Sequence, residues 1–303
     1  MQLNLKQVLY FLIIFLVITG VLFTSQIGQK PQSLPAKPRY VATIHPLAAI
    51  LKELTQDRAE VIELLKPGDS PHTYEPSPSD VRIAENSTAL FYVSSTIDEW
   101  GVRLPSHSKI EVFSLVPENL KIKFFQQTNR NKDESNFDPH FWMDPITVKA
   151  TLPTLVQTLS RLDPEGSSIY QTNAEQFSKK LDILHQQIKN MLDSVQKKPV
   201  VLFHPCCVYF LKRYNIPLLA VIEYSPGQEP SPRQIQSLIA QMKKAGTDVV
   251  FTEPQLPPQA AKLVAESLNA KVYQLDPLGG IKGRETYEEL LLYNASIFRE
   301  AFD

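Results

Sequence analysis

The 303-residue chain is long enough for two lobes of roughly 120 residues each. Apolar residues make up 43% of it, and 31 Lys+Arg against 32 Asp+Glu leave a formal net charge of −1. No basic block or aromatic-basic stripe occurs, which argues against a nucleic-acid partner.

The N-terminus carries its own signal. Lys6 precedes an uncharged apolar run from Val8 to Phe23. This run is near the upper size of a signal-peptide core and a little short of the ~20 residues that a spanning helix needs. No Ala-x-Ala cleavage site follows it closely, so a cleaved signal and an uncleaved anchor both fit. Either would place the body at the periplasmic or extracellular face of the cell membrane. The two cysteines, Cys206 and Cys207, lie far downstream, and the expectation is a chain that is not lipidated. Residues 1–38 are read as this segment plus a Pro-rich tether, Lys30 to Pro38.

The body opens with a strand over Tyr40–Ile44, then His45-Pro46 and an amphipathic helix through Leu54. Strand signals recur at Val61–Leu65, Ala89–Val93 and Lys109–Ser114. A helix over Ser79–Glu85 is expected to use Ser79 and Asp80 as cap and first-turn acid. Alternating strands and helices predict an α/β fold with parallel sheets covered on both faces. Residues 39–163 form the first lobe in this reading, and the polar stretch Phe124 to Phe137 reads as a loop. From Pro164 the apolar residues Tyr170, Ala174, Phe177, Leu181, Leu184, Ile188, Met191 and Val195 recur at steps of four and three. They predict one stripe on a helix of about 30 residues, roughly 45 Å long. A coiled coil would want a partner strand of helix; a helix lying across two lobes needs the same stripe. Residues 164–197 are assigned to that linking helix. The alternation restarts at Val200–His204, Pro217–Ile222, Asp248–Thr252 and Lys271–Leu275, giving a second lobe over 198–303. No repeat is visible by residue identity, but the architecture reads as duplicated.

Four candidate metal ligands sit in loops or at strand ends. His72 lies in the proline-stiffened loop Pro67 to Asp80, after the run Val61–Leu65. His140 lies in Asp138-Pro-His-Phe-Trp-Met-Asp-Pro145, His204 ends Pro199–His204, and Asp276 ends Lys271–Asp276. Ligands in open parallel sheets bind beyond the carboxyl ends of the strands. Three imidazoles and one carboxylate make a chemically complete zinc site. His45 could line the cleft behind the ligands, whereas His107 and His185 read as structural or solvated. Glu75, Glu229 and Glu253 could each orient a ligand histidine, cap a helix or stay solvated. Cys206 and Cys207 are expected to be small wall residues, not ligands, ahead of an amphipathic helix over Val208–Tyr214 whose Tyr209 and Phe210 face the lobe.

At these residues the chain resembles the solute-binding proteins of zinc and manganese ABC transporters. The resemblance runs from about Tyr40 to Phe302. It rests on His72-Thr-Tyr-Glu-Pro-Ser-Pro-Ser-Asp80, Asp138–Pro145, the His204 segment, Glu229-Pro-Ser-Pro-Arg-Gln234, Phe251-Thr-Glu-Pro-Gln255 and Asp276-Pro-Leu278. It implies two Rossmann-like lobes joined by one long helix, with metal in the inter-lobe cleft on His72, His140, His204 and Asp276. It implies a non-catalytic protein that captures zinc, with manganese as the alternative, and hands it to an ABC permease in the membrane; a monomer is expected. Two departures stand out. Pro205-Cys206-Cys207 replaces the small-residue segment frequent in the family, and the loop before His140 contains no histidine. The rival functions are a zinc-dependent hydrolase with an open metal position and an adhesin with incidental metal. No His-Glu-x-x-His pair supports the hydrolase.

Overall fold

The computed structural model describes residues 37–124, 137–224 and 229–303. The apolar run Val8 to Phe23 and most of the loop between Phe124 and Phe137 lie outside the described residues.

The first half contributes β1 (Arg39–Ala42), α1 (His45–Thr55), β2 (Glu60–Glu63), α2 (Pro78–Glu85), β3 (Ala89–Tyr92), α3 (Glu99–Arg103) and β4 (Lys109–Glu111). A short antiparallel pair, β5 (Ile122–Lys123) with β6 (Phe137–Asp138), leads to α4 (Pro145–Leu162) and α5 (Ser167–Asp193). The second half contributes β7 (Val200–Leu202), α6 (Val208–Arg213), β8 (Leu218–Val221), α7 (Pro232–Ala245), β9 (Val249–Thr252), α8 (Gln259–Leu268), β10 (Lys271–Gln274) and α9 (Tyr287–Phe302).

Two four-stranded parallel sheets result, in the orders β2-β1-β3-β4 and β10-β9-β7-β8. Counted within each half, both orders are 2-1-3-4, so the sheets share one topology. Each reverses direction beside its first strand, β1 or β7, and that is where a crevice opens at the carboxyl ends. The central strands are buried on both faces and read as continuous apolar runs, as parallel strands require.

The duplication is also written in the sequence, contrary to expectation. Glu75-Pro-Ser-Pro and Glu229-Pro-Ser-Pro recur at the same topological place, between the second and third strands of each half. Each makes the same helix start. Ser77 accepts from the Asp80 amide and Ser231 from the Gln234 amide, with proline in the first turn. The cap of α2 is therefore Ser77, not Ser79, because Pro78 has no amide to lose at the first helical position.

The long helix is present as α5, 27 residues and about 40 Å long. It packs on α4, on α1 from the first lobe and on α9 from the second. Tyr170, Phe177, Leu181, Leu184 and Ile188 are buried as expected. At its ends the buried positions shift to Asn173 in place of Ala174 and Leu192 in place of Met191. A strict four-three alternation has a period of 3.5, and a straight helix of 3.6 drifts off it by about 20° per heptad. One apolar core runs from β1 through α5 to α9, and a smaller cluster around Val201, Phe203 and Met242 sits under α7 and α8. The helix α4 was not legible beforehand. It contains Pro153, and its buried Thr151 and Thr158 bond back to carbonyls one turn earlier, a composition that does not advertise a helix.

Candidate metal centre

Three histidines converge. The ligand atoms of His72, His140 and His204 lie within 4.8 Å of one another. Their ring centroids are 6.1 Å apart for His72–His140 and 5.1 Å for both pairs involving His204. They line a cavity of about 20 Å³, room for a single small occupant, with Trp142, Cys206 and Glu253 in the wall.

Each ring is positioned by a different element. His72 sits in the loop after β2. The Trp100 indole on α3 donates to the Pro71 carbonyl at 2.8 Å, and Tyr74 packs tilted against Trp100 while its hydroxyl reaches Asp80. The loop thus has an aromatic clamp as well as its prolines. His140 follows β6. The buried carboxylate of Asp138 takes both the His140 backbone amide, at 2.9 Å, and the ring Nδ1, at 2.7 Å. With Nδ1 committed to Asp138, the lone pair is at Nε2, the arrangement by which a carboxylate orients a metal-binding imidazole. Trp142 packs on His140 and ties the loop to the second lobe, donating to the Pro277 carbonyl while its own carbonyl accepts from Tyr287. His204 follows β7, and Glu253 follows the neighbouring β9. Leu202 is in register with Phe251, so the two residues face each other two positions on. His204 Nδ1 and Glu253 Oε1 are 3.4 Å apart, and neither atom has a hydrogen-bond partner.

The rings sense one another. Burial, and then the nearness of His204 and His140, hold His72 well below the usual imidazole range, with a bond to the Thr96 backbone working against them. A neutral imidazole is the form that binds metal.

Asp276 is beside this group but not in it. Its Oδ1 accepts from Gln255 and from the Leu278 and Gly279 amides, and its Oδ2 accepts from Arg284 at 2.8 Å. Asn294 fixes its backbone from both sides. His45 is not among the three converging rings. It sits 2.7 Å from Glu63 and 3.0 Å from the Glu285 carbonyl, and the glycine loop at Gly279 and Gly280 packs on its ring. His107 and His185 are engaged elsewhere, with the Ser87 carbonyl and with Tyr214. Glu75 and Glu229 are exposed, while Glu253 is buried. Asp138 and Trp142 carry parts that sequence reasoning did not give them, whereas Cys206 lies in the cavity wall as expected. The Asp-x-His spacing was the available signal for Asp138.

Two parallel α/β lobes with imidazoles from both meeting at the strand ends define a cleft-type metal-binding protein. The family described as ZnuA, zinc-uptake complex component A, periplasmic, matches residues 41–301, and the chain belongs to it. It is 24% identical over 296 residues to the manganese ABC transporter substrate-binding lipoprotein PsaA of Streptococcus anginosus, covering 93% of this chain and 94% of the relative. It is 25% identical over 292 residues to the high-affinity zinc uptake system protein ZnuA of Brucella abortus, covering 83% and 87%. Among solved structures, the zinc-bound form of an AdcAII variant of Streptococcus pneumoniae superposes with a TM-score of 0.77 at 27% identity, over 89% of this chain and 100% of the other.

The expectation of a chain without lipid is overturned. The Streptococcus anginosus relative, matched over more than nine-tenths of this chain, is named a lipoprotein. The expectation rested on the absence of an early cysteine, and that absence does not outweigh the relative. An outward-facing location fits the family.

Proposed function

We propose that the protein captures a divalent metal outside the cytoplasm and delivers it to an ABC permease in the membrane, and that zinc is preferred to manganese. The observation that carries this reading is the convergence of His72, His140 and His204. Three nitrogen donors at a small cavity suit a tetrahedral zinc ion, whereas manganese favours more oxygen ligands and a higher coordination number. The metal is cargo here, and the protein works as a binding protein without turnover. Asp276 is proposed as the fourth ligand, reached when its Oδ2 exchanges Arg284 for the metal. The division into lobes at 39–163 and 198–303 with a linker at 164–197, and a monomeric state, belong to the same proposal. Metal analysis of the purified protein under zinc–manganese competition tests it. One zinc per chain, retained against excess manganese, is expected; displacement of zinc by manganese would reverse the preference.

Acid should release the metal. Ordinary imidazoles take up protons around pH 6.5, and a protonated ring cannot ligate. Zinc affinity is therefore expected to fall from about pH 7 to about pH 5. His72 is held below the usual range, so it stays neutral longer and loses its place only at lower pH. The slope should accordingly be smaller than three protons per metal over that window. Chelator competition at a series of pH values reads this, and a flat profile would contradict a histidine site.

A further inference from the structure

A second donor set adjoins the three imidazoles. We propose that His204 Nδ1, Cys206 Sγ and the Glu253 carboxylate form a distinct cation position that takes a thiophilic divalent ion. The ligand atoms of these three residues also lie within 4.8 Å of one another. All three side chains are more than nine-tenths buried: His204 is 4% exposed, Cys206 2% and Glu253 6%. The strand register of β7 and β9 sets His204 against Glu253, and the 3₁₀ turn at Pro205–Cys207 brings Cys206 to the same wall.

The second observation is the pair of orphaned atoms. His204 Nδ1 and Glu253 Oε1 face each other at 3.4 Å, buried and without hydrogen-bond partners. Leaving such atoms unsatisfied is costly, so a native site of this kind calls for an occupant. A separation of 3.4 Å is also close to the ligand–ligand edge of a tetrahedron with bonds of about 2.0–2.1 Å.

The chemistry separates the two positions. The first offers three nitrogens with the Asp276 carboxylate as the proposed fourth ligand, whereas the second includes a sulfur, and sulfur selects softer ions. A neutral imidazole has one lone pair, so His204 serves one position at a time. Nδ1–H directed at Glu253 leaves Nε2 for the three-imidazole position; the other tautomer offers Nδ1 to the sulfur-containing position. Binding there replaces the thiol proton, with Cys206–SH plus a divalent cation giving a thiolate–metal bond and one proton released to buffer. Cys207 has its sulfur 3.0 Å from that of Cys206 but takes no part in the triad.

Cadmium chloride is the probe, read by thiolate-to-cadmium charge-transfer absorption in the near ultraviolet. The chain carrying His72→Ala and His140→Ala lacks the three-imidazole position and keeps the second. It should bind one cadmium with the thiolate band. Adding Cys206→Ser should abolish the band and weaken cadmium at least about a hundredfold, while adding Cys207→Ser should preserve both. Absence of the band in a His72→Ala, His140→Ala protein with wild-type circular dichroism overturns the proposal, as does survival of the band after Cys206→Ser. Should the double variant fail to fold, His140→Ala alone serves, with cadmium-edge X-ray absorption reporting a sulfur neighbour that Cys206→Ser removes; no sulfur neighbour there also overturns it. Zinc capture on the three imidazoles is judged separately, by the zinc affinity of His140→Ala, so either reading can fail without the other.

Discussion

Zinc is expected to bind His140→Ala at least a hundredfold more weakly than the unaltered protein, a loss of about 2.8 kcal/mol or more. His140 brings one of three nitrogen donors, and its ring is the most firmly oriented of the three. Asp138 holds both its backbone amide and its Nδ1, and Trp142 packs on its face. Alanine removes the donor, and it also strips the ring bond from a fully buried carboxylate whose Oδ2 already has no partner. That second loss falls on folding and is worth about 1–3 kcal/mol, so a thermal melt must accompany the titration. Asp138→Asn separates the two effects. It keeps the shape and removes the charge that fixes the tautomer, and a loss of about 10–100-fold is expected for such an outer partner. Wild-type affinity in His140→Ala would remove His140 from the site, and equal effects from both changes would assign the energy to orientation.

The site was legible in its residue types and only partly in its geometry. His72, His140 and His204 were marked by loops and strand ends, a local property that a sequence displays. Their convergence depends on how two separate sheets of the same topology come together, which local pattern does not carry. Asp276 carried the same strand-end signal as His204, but its carboxylate turns to Arg284 and to the Leu278 and Gly279 amides. That turn depends on the glycine loop between them folding back, with Gly279, Gly280 and Gly283 all at positive φ. Glu253 differs from Glu75 and Glu229 by burial alone, and its partner is visible only once the register of β7 with β9 is known. The Glu-Pro-Ser-Pro repeat was in plain view. It escapes a search for long repeats because four residues are all that the two halves share there, and the shared requirement is one helix cap. The drift of the buried face on α5 has a purely geometric cause and was open to calculation from the spacing.

Asp163→Ala is expected to cost about 1–3 kcal/mol of folding stability, the usual penalty for leaving buried hydrogen-bonding groups without their acceptor. Asp163 stands at the joint between α4 and α5. Its carboxylate accepts two bonds from the Arg58 guanidinium, at 2.7 and 2.5 Å, and one from the Tyr170 hydroxyl at 2.5 Å. Alanine would leave a half-buried guanidinium and a fully buried hydroxyl without their acceptor, at the point where the first lobe grips the long helix. The crowding is tight enough that a Cβ on Gly166 would fall 2.3 Å from Asp163 Oδ2 and 2.6 Å from the Tyr170 ring, so Gly166→Ala should lower the melting temperature through the same cluster. The pH dependence fixes the cause. The Arg58 bond, opposed by burial and aided by Tyr170, holds the Asp163 carboxyl below its ordinary value. A carboxyl depressed in the folded state contributes its full stability above the unfolded pKa of about 3.9 and loses it as pH falls through the folded value. Urea unfolding of the two proteins should therefore show a constant gap from pH 8 to about pH 5 that narrows below about pH 4. A gap under about 1 kcal/mol at pH 7 would mean that Arg58 and Tyr170 find other acceptors. A gap unchanged down to pH 3 would assign the loss to packing instead of charge, because a packing defect carries no proton linkage.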